Sequence, residues 1–189
     1  MPVQIGQPRQ ADFDDPLGML SDCHRRIESF LGALLRLARE RKGQHLDDAA
    51  HASLKNALEY FRHSGPRHTA DEEESLFPRM RECQGSAEAL RAIEALRSDH
   101  VVADRVHAEV DTLGTKWLHD GKLADEDAQR LSELLESLSK LYAHHIDVED
   151  HQVFPAASRI LQAGQISSIG EEMARRRGLR RVIGVDPRS

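Results

Sequence analysis

The sequence predicts an all-α chain, folded as an antiparallel, up-down-up-down four-helix bundle with a short C-terminal helix. Three observations carry this. Apolar residues recur at three- and four-residue spacing through long charged, Leu-rich and Ala-rich stretches, the pattern of helices that each bury one stripe. Alternation of Val, Ile and Thr is missing, so no segment reads as a strand. The third observation is a repeat: His68-Thr-Ala-Asp-Glu72-Glu-Glu-Ser-Leu-Phe77-Pro78 returns as His145-Ile-Asp-Val-Glu149-Asp-His-Gln-Val-Phe154-Pro155. His, Glu, an acid, Phe and Pro stand at identical offsets, and such self-similarity constrains the architecture before any propensity does.

The first helix is expected from Pro16, with Asp15 as its N-cap and Gly43 as its stop. Its seam runs Leu17, Leu20, Ile27, Leu31, Leu34 and Ala38, and the one missing member is His24. The second carries Leu54, Leu58 and Phe61, meets Gly65-Pro66, and resumes with His68, Glu72 and Leu76. Proline inside a helix deletes a hydrogen bond and crowds the preceding turn, so a kink or short break is expected at Pro66, and a bend or end at Pro78. The third starts after Ser86 with Ala89, Ile93, Leu96, His100, Ala103, His107, Val110 and Trp117 on its seam. The fourth starts after Asp125 and carries Leu131, Leu134, Leu138, Leu141, His145, Glu149 and Gln152. Short loops between helices of this length favour antiparallel neighbours. An amphipathic segment from Ser167 to Arg177 follows Gly164, and the last residues read as unstructured. The division expected is a flexible N-terminus over 1–15, the bundle over 16–162, and a C-terminal helix and tail over 163–189.

The repeat extends upstream. Ser21-Asp22-Cys23-His24 stands before the first pair and Ser98-Asp99-His100 before the second, placing a histidine 44 residues ahead of His68 and 45 ahead of His145. Each copy therefore offers two histidines and one glutamate, and His and Glu four residues apart project from one side of a helix. Two copies related by a pseudo-twofold axis suit a dinuclear metal site. Buried charge is costly unless it is paired or metal-bound, which argues against six such groups in an empty core. Imidazole and carboxylate without thiolate point to iron or manganese, with zinc as an alternative. Two histidines would go to each ion while Glu72 and Glu149 bridge. With a solvent-derived oxo or hydroxo bridge, an open position remains on each ion for dioxygen, peroxide or nitric oxide.

These motifs, with both His-x-x-x-Glu…Phe-Pro signatures and both upstream histidines, resemble the hemerythrin-like, or HHE cation-binding, domain family over about Leu17 to Ile160. The resemblance implies that His24, His68, Glu72, His100, His145 and Glu149 are the ligands of two iron ions. The family's oxygen carriers instead place a second histidine one turn after the third-helix ligand, where this chain has Asp104. The four-histidine, two-glutamate pattern looks closer to the family's iron sensors and to its proteins that repair iron–sulfur clusters. The latter carry a further N-terminal cysteine-containing domain, whereas about 15 residues precede the first helix here. The function expected is a non-haem di-iron protein that binds or senses oxygen, peroxide or nitric oxide. The alternatives are an iron donor for cluster repair and a structural or partner-binding bundle. If the chain is an enzyme, the activity implied is redox chemistry on oxygen or peroxide.

Other features exclude more than they suggest. A net charge of −6 argues against nucleic acid as the partner. Arg175-Arg176-Arg177 with Arg180 and Arg181 is the only basic cluster, and it reads as a solvated helix end. No apolar run approaches the ~18 residues of a membrane span. Two cysteines and no visible leader suggest the cytoplasm. Asp104, one turn past His100, could bind a metal or orient a ligand. His107 is two turns past it, about 10 Å along the axis and too far for the same ion. His45, His51, His63, His119, His144 and His151 read as ordinary histidines, and Cys23 as a buried inert thiol. Glu73, Glu74 and Asp150 are expected to face solvent, although Glu73 or Asp150 could hydrogen-bond a ligand.

Overall fold

The computed structural model describes residues 11–83 and 87–179, and every regular element among them is helical. Helix α1, Pro16–Glu40, opens as expected: the Asp15 carboxylate accepts from the Gly18 N–H at 3.0 Å, and Pro16 takes the first position, where a missing N–H costs nothing. Helix α2, Asp48–Ala70, is capped by Asp47, which accepts from the Ala50 N–H at 2.8 Å. There follow α3 (Phe77–Glu82), α4 (Ala87–Asp120), α5 (Asp125–Val148), α6 (Phe154–Ile160) and α7 (Ala163–Arg176). Wider π-helical turns, Asp71–Leu76 and Glu149–Val153, join α2 to α3 and α5 to α6. Gly121, at φ +73, ends α4 in the left-handed conformation that glycine adopts without strain. Its carbonyl accepts from Leu46 N–H at 2.8 Å, tying that end to the loop between α1 and α2.

At Pro66 and at Pro78 one of the two expected outcomes drops out, and one helix start moves. Helix α2 runs through Pro66 without a break. The carbonyl that Pro66 leaves unpaired is that of Arg62, and both residues are exposed, so water can satisfy it. Pro78 does not end its helix either, since α3 continues to Glu82 and the disturbance falls in the wide turn before the proline. Helix α5 begins at Asp125 itself, with Ala124 as its cap residue.

Helix α1 packs on α2 and α5, and α4 packs on the same two. The core divides into two apolar clusters. One contains Ile27, Leu34, Leu54, Phe61, Ala103, Trp117, Leu131 and Leu138; the other contains Leu20, Leu76, Phe77, Met80, Leu96, Val153, Phe154, Ile169 and Met173. Along α1 and α4 the second cluster comes first (Leu20, Leu96), then a histidine, then the first cluster. Along α2 and α5 that order is reversed. The polar residues thus occupy one level between two dry layers.

The basic cluster is not simply a solvated helix end. Arg176 and Arg177, closing α7, pair with the fully buried Asp71 at 2.9 and 2.7 Å. Arg176 also donates to Ser75 Oγ at 2.8 Å, and Arg79 pairs with Glu172 at 2.7 Å. Arg180, Arg181, the rest of the C-terminal tail, Ser86 and residues 1–10 lie outside the described residues. No helix among those described is long and apolar enough to cross a membrane.

Candidate metal centre

The backbone at the site follows from the Phe-Pro repeat. Pro78 and Pro155 offer no N–H, and each ring crowds the carbonyl four residues back. The turn widens instead, so that Phe77 N–H bonds to the Glu72 carbonyl and Phe154 N–H to the Glu149 carbonyl, five residues back. His68 and His145 lie before the widening, which leaves the one-turn spacing to each glutamate intact. Beyond it the buried face advances by one residue: Val153 is buried and Gln152, expected on the seam, is exposed.

All six repeated residues converge. His24, His68, Glu72 and Glu149 form one buried group, and Glu72, His100, His145 and Glu149 another; within each, the potential ligand atoms lie within 4.8 Å of one another. Glu72 faces both ways, with Oε1 at 3.2 Å from His68 Nε2 and Oε2 at 3.4 Å from His100 Nε2. Glu149 Oε2 lies 3.0 Å from His24 Nε2 and 3.2 Å from His145 Nε2. These contacts lack the directionality of hydrogen bonds: His24 Nε2, His100 Nε2 and all four glutamate oxygens are buried without a hydrogen-bond partner. Groups crowded in this way, yet not aimed at one another, suit a common third atom. Ligands about 2.1 Å from one ion at right angles would themselves be about 3 Å apart. The residues present therefore fit two cations that share both carboxylates.

Electrostatics agrees. Burial, and then the charge of Glu149, raise the Glu72 pKa well above its ordinary value. Burial works in the same direction on Glu149, but the adjoining His145 and His24 rings outweigh it and hold that carboxyl down. For His24 and His145, burial disfavours the charged ring, yet Glu149 and then Glu72 overcome it and raise both pKa values. His68 is pushed down to about 3, first by burial and then by His24. Two buried carboxylates this close repel each other, and cations between them would remove that penalty.

Three carboxylates stand behind the histidines. His24 Nδ1 is 3.0 Å from Asp150, His100 Nδ1 is 2.8 Å from Glu73, and His145 Nδ1 is 3.4 Å from Asp99. Such partners fix the tautomer and aim the other nitrogen inward. Glu73 and Asp150 are thus turned toward the histidines rather than simply toward solvent. The signal was in the sequence, because each is the acid that follows a repeated glutamate. Asp99 was missed, although it immediately precedes His100.

Asp104 is exposed and belongs to neither group. It lies about 100° around the helix from Ala103, which is buried on the seam. His107 accepts or donates a 2.9 Å hydrogen bond with the Tyr142 hydroxyl and stacks on Phe61, and burial pushes its pKa down to about 4. His45, His51, His63, His119, His144 and His151 are exposed. Cys23 is buried, and its sulfur lies 3.3 Å from Arg26 Nη2. A cleft of about 530 Å³ between α2 and α4 reaches the site, with His68, His100 and His145 in its wall among Phe61, Ala103 and Val110.

Comparison with known proteins gives one result. The model of the hemerythrin HHE cation-binding domain matches residues 15–157. No curated protein matches the chain.

Proposed function

Because the chain belongs to the hemerythrin HHE cation-binding family, we propose that it is a non-haem di-iron protein that binds or senses dioxygen, peroxide or nitric oxide. The observation that carries this reading is the pair of buried four-residue groups sharing Glu72 and Glu149. His24 and His68 would hold one ion and His100 and His145 the other, with a carboxylate oxygen of each glutamate available to either. The ions, iron by this reading with an oxo or hydroxo bridge and with manganese or zinc as alternatives, would supply redox equivalents and open coordination positions.

The surrounding residues determine what reaches them. Asp150, Glu73 and Asp99 keep a proton on the outward nitrogens of three histidines, leaving the inward nitrogens as lone-pair donors. The cleft presents Glu73, Glu74, Asp104 and Asp111 against one cation, Arg62, itself paired with Asp111 at 2.6 Å. A small neutral molecule therefore enters more readily than an anion. The same reading takes the helices as an antiparallel up-down-up-down bundle, supported by the opposite order in which successive helices meet the two apolar clusters. It also places the protein in the cytoplasm, supported by two free cysteines.

Metal analysis and optical spectra of protein produced in iron-rich medium test the proposal. Two irons per chain and an oxo-to-iron charge-transfer band that responds to one of the three ligands are expected. Less than one metal per chain and no such band would sink it.

A further inference from the structure

The two copies support one pair of histidines alike and the other differently. His24 and His100, each from the first helix of its copy, are both backed by an acid from the opposite copy: Asp150 follows Glu149, and Glu73 follows Glu72. The second pair breaks the symmetry. His145 Nδ1 meets Asp99, the residue before His100. The residue before His24 is Cys23, whose sulfur is engaged by Arg26, and among the described residues nothing hydrogen-bonds His68 Nδ1, which is buried. One prospective cation position thus has two backed imidazoles, and the other has one.

We propose that the position formed by His24 and His68 is an exchange site for a divalent cation, whereas the position formed by His100 and His145 retains its ion. The inference rests on the metal-binding reading above. An imidazole whose outer nitrogen donates to a carboxylate has its tautomer and ring orientation fixed and is the more basic donor, and losing such a partner weakens metal binding by about 10- to 100-fold. His68 has no such partner, so its inward nitrogen carries the lone pair in only one of two tautomers. Exchange at a single position would give a chain that gains and yields one iron while the rest of the site stays assembled.

The test uses the full chain loaded with Fe(II) under nitrogen and challenged with a chromophoric chelator. Release in two phases of equal amplitude is expected, with rates separated by about 10-fold or more. His68→Ala should hold one iron that leaves at the slow rate. Asp99→Asn should speed the slow phase toward the fast one, and Cys23→Asp should slow the fast phase toward the slow one. Asp99→Asn decides alone if Cys23→Asp does not fold. Wild-type protein that binds two irons and releases them in one phase overturns this inference and leaves the di-iron reading standing. Two phases that Asp99→Asn leaves unchanged also overturn it. Wild-type protein that binds fewer than two irons overturns the di-iron reading itself.

Discussion

The turn that carries Glu72 adds a buried ion pair to its apolar packing, whereas the turn that carries Glu149 has an apolar residue at the matching position. At the position before each glutamate the first copy has Asp71 and the second Val148. Asp71 is fully buried and answered by Arg176 and Arg177 from α7, while Ser75 in the same turn accepts from Arg176. Val148 joins Val153, Phe154 and Ala157 in an apolar cluster. The backbone result is nevertheless the same, a π turn before Phe-Pro that presents a glutamate to both histidine pairs. What the repeat preserves is the histidines, the glutamates and the proline that widens the turn; the means of holding the turn in place differ.

The sharpest way to break the comparison is to remove the glutamates. If each carboxylate serves both positions, as proposed, either Glu72→Gln or Glu149→Gln should lose both ions together, and chelation should then no longer lower the melting temperature. In the metal-free chain the two should part. Glu149→Gln removes the partner of His24 and His145 and should cost about 3–5 kcal/mol. Glu72→Gln removes a carboxyl that burial and Glu149 both oppose, and should be neutral or stabilising by about 1 kcal/mol. Equal metal-free effects in urea unfolding would show that the two carboxylates are not differently placed.

The α7 clamp comes next. Removing both cations in Arg176→Ala/Arg177→Ala strands Asp71 in the core and should cost about 3 kcal/mol. Asp71→Val, which copies the second turn, removes the buried charge itself and should cost less than half of that, because both arginines are partly exposed and can turn to water. Adding Asp71→Val to the double variant should restore most of the loss. If Asp71→Val alone is the worst of the three, the turn does not depend on compensating this charge.

A smaller, pH-dependent difference lies two turns along α4 from His100. Where the second copy has His107, the first has the buried Leu31 at the same distance from its upstream histidine. The His107 pKa falls from 6.5 to about 4 on folding, so the unfolded chain takes up the proton first. This contribution is neutral above about pH 6.5 and turns against folding as pH falls toward 4, reaching roughly 3 kcal/mol. Metal-loaded protein, with its other buried histidines occupied, should therefore lose melting temperature between pH 6.5 and 4.5, and His107→Leu should flatten that slope. At neutral pH the variant should be slightly less stable, because Tyr142 loses its hydrogen-bond partner. An unchanged slope in His107→Leu would assign the acid sensitivity elsewhere.

These contrasts also mark what could be read from the chain. The six converging residues were legible because His24, His68, Glu72, His100, His145 and Glu149 interrupt apolar seams at offsets that recur, and two independent coincidences of that kind leave little else for them to do. The π turns were half legible. Pro78 announced a disturbance that the repeat carries over to Pro155, but a proline's missing hydrogen bond is equally met by a break, a kink or a widened turn, and only the surrounding packing selects among them. Gln152 and Val153 exchanged places for the same reason, since a one-residue change of helical phase is invisible to a fixed period. The clamp on Asp71 was not legible. Arg176 and Arg177 lie over a hundred residues away in the chain, and three consecutive arginines look the same whether they meet water or a buried acid.

The smallest effect is expected at Asp104, and it tests whether the two copies end their ligand sets at the same place. Asp104 follows His100 by four residues, and Glu28 follows His24 by four, so an acid stands one turn past the upstream histidine in both copies. Both are exposed. A carboxylate in water gains little by turning inward toward a site already supplied with two shared glutamates, and surface substitutions of this kind change stability by no more than about 0.5 kcal/mol. Asp104→Ala and Glu28→Ala should therefore keep both irons and an unshifted optical spectrum, and Asp104→Ala should at most alter how fast a charged probe enters the cleft it lines. Loss of one iron in Asp104→Ala with none in Glu28→Ala would mean that the second copy recruits a ligand the first does not, and that the metal-bound site departs from the pseudo-twofold arrangement of its six shared residues.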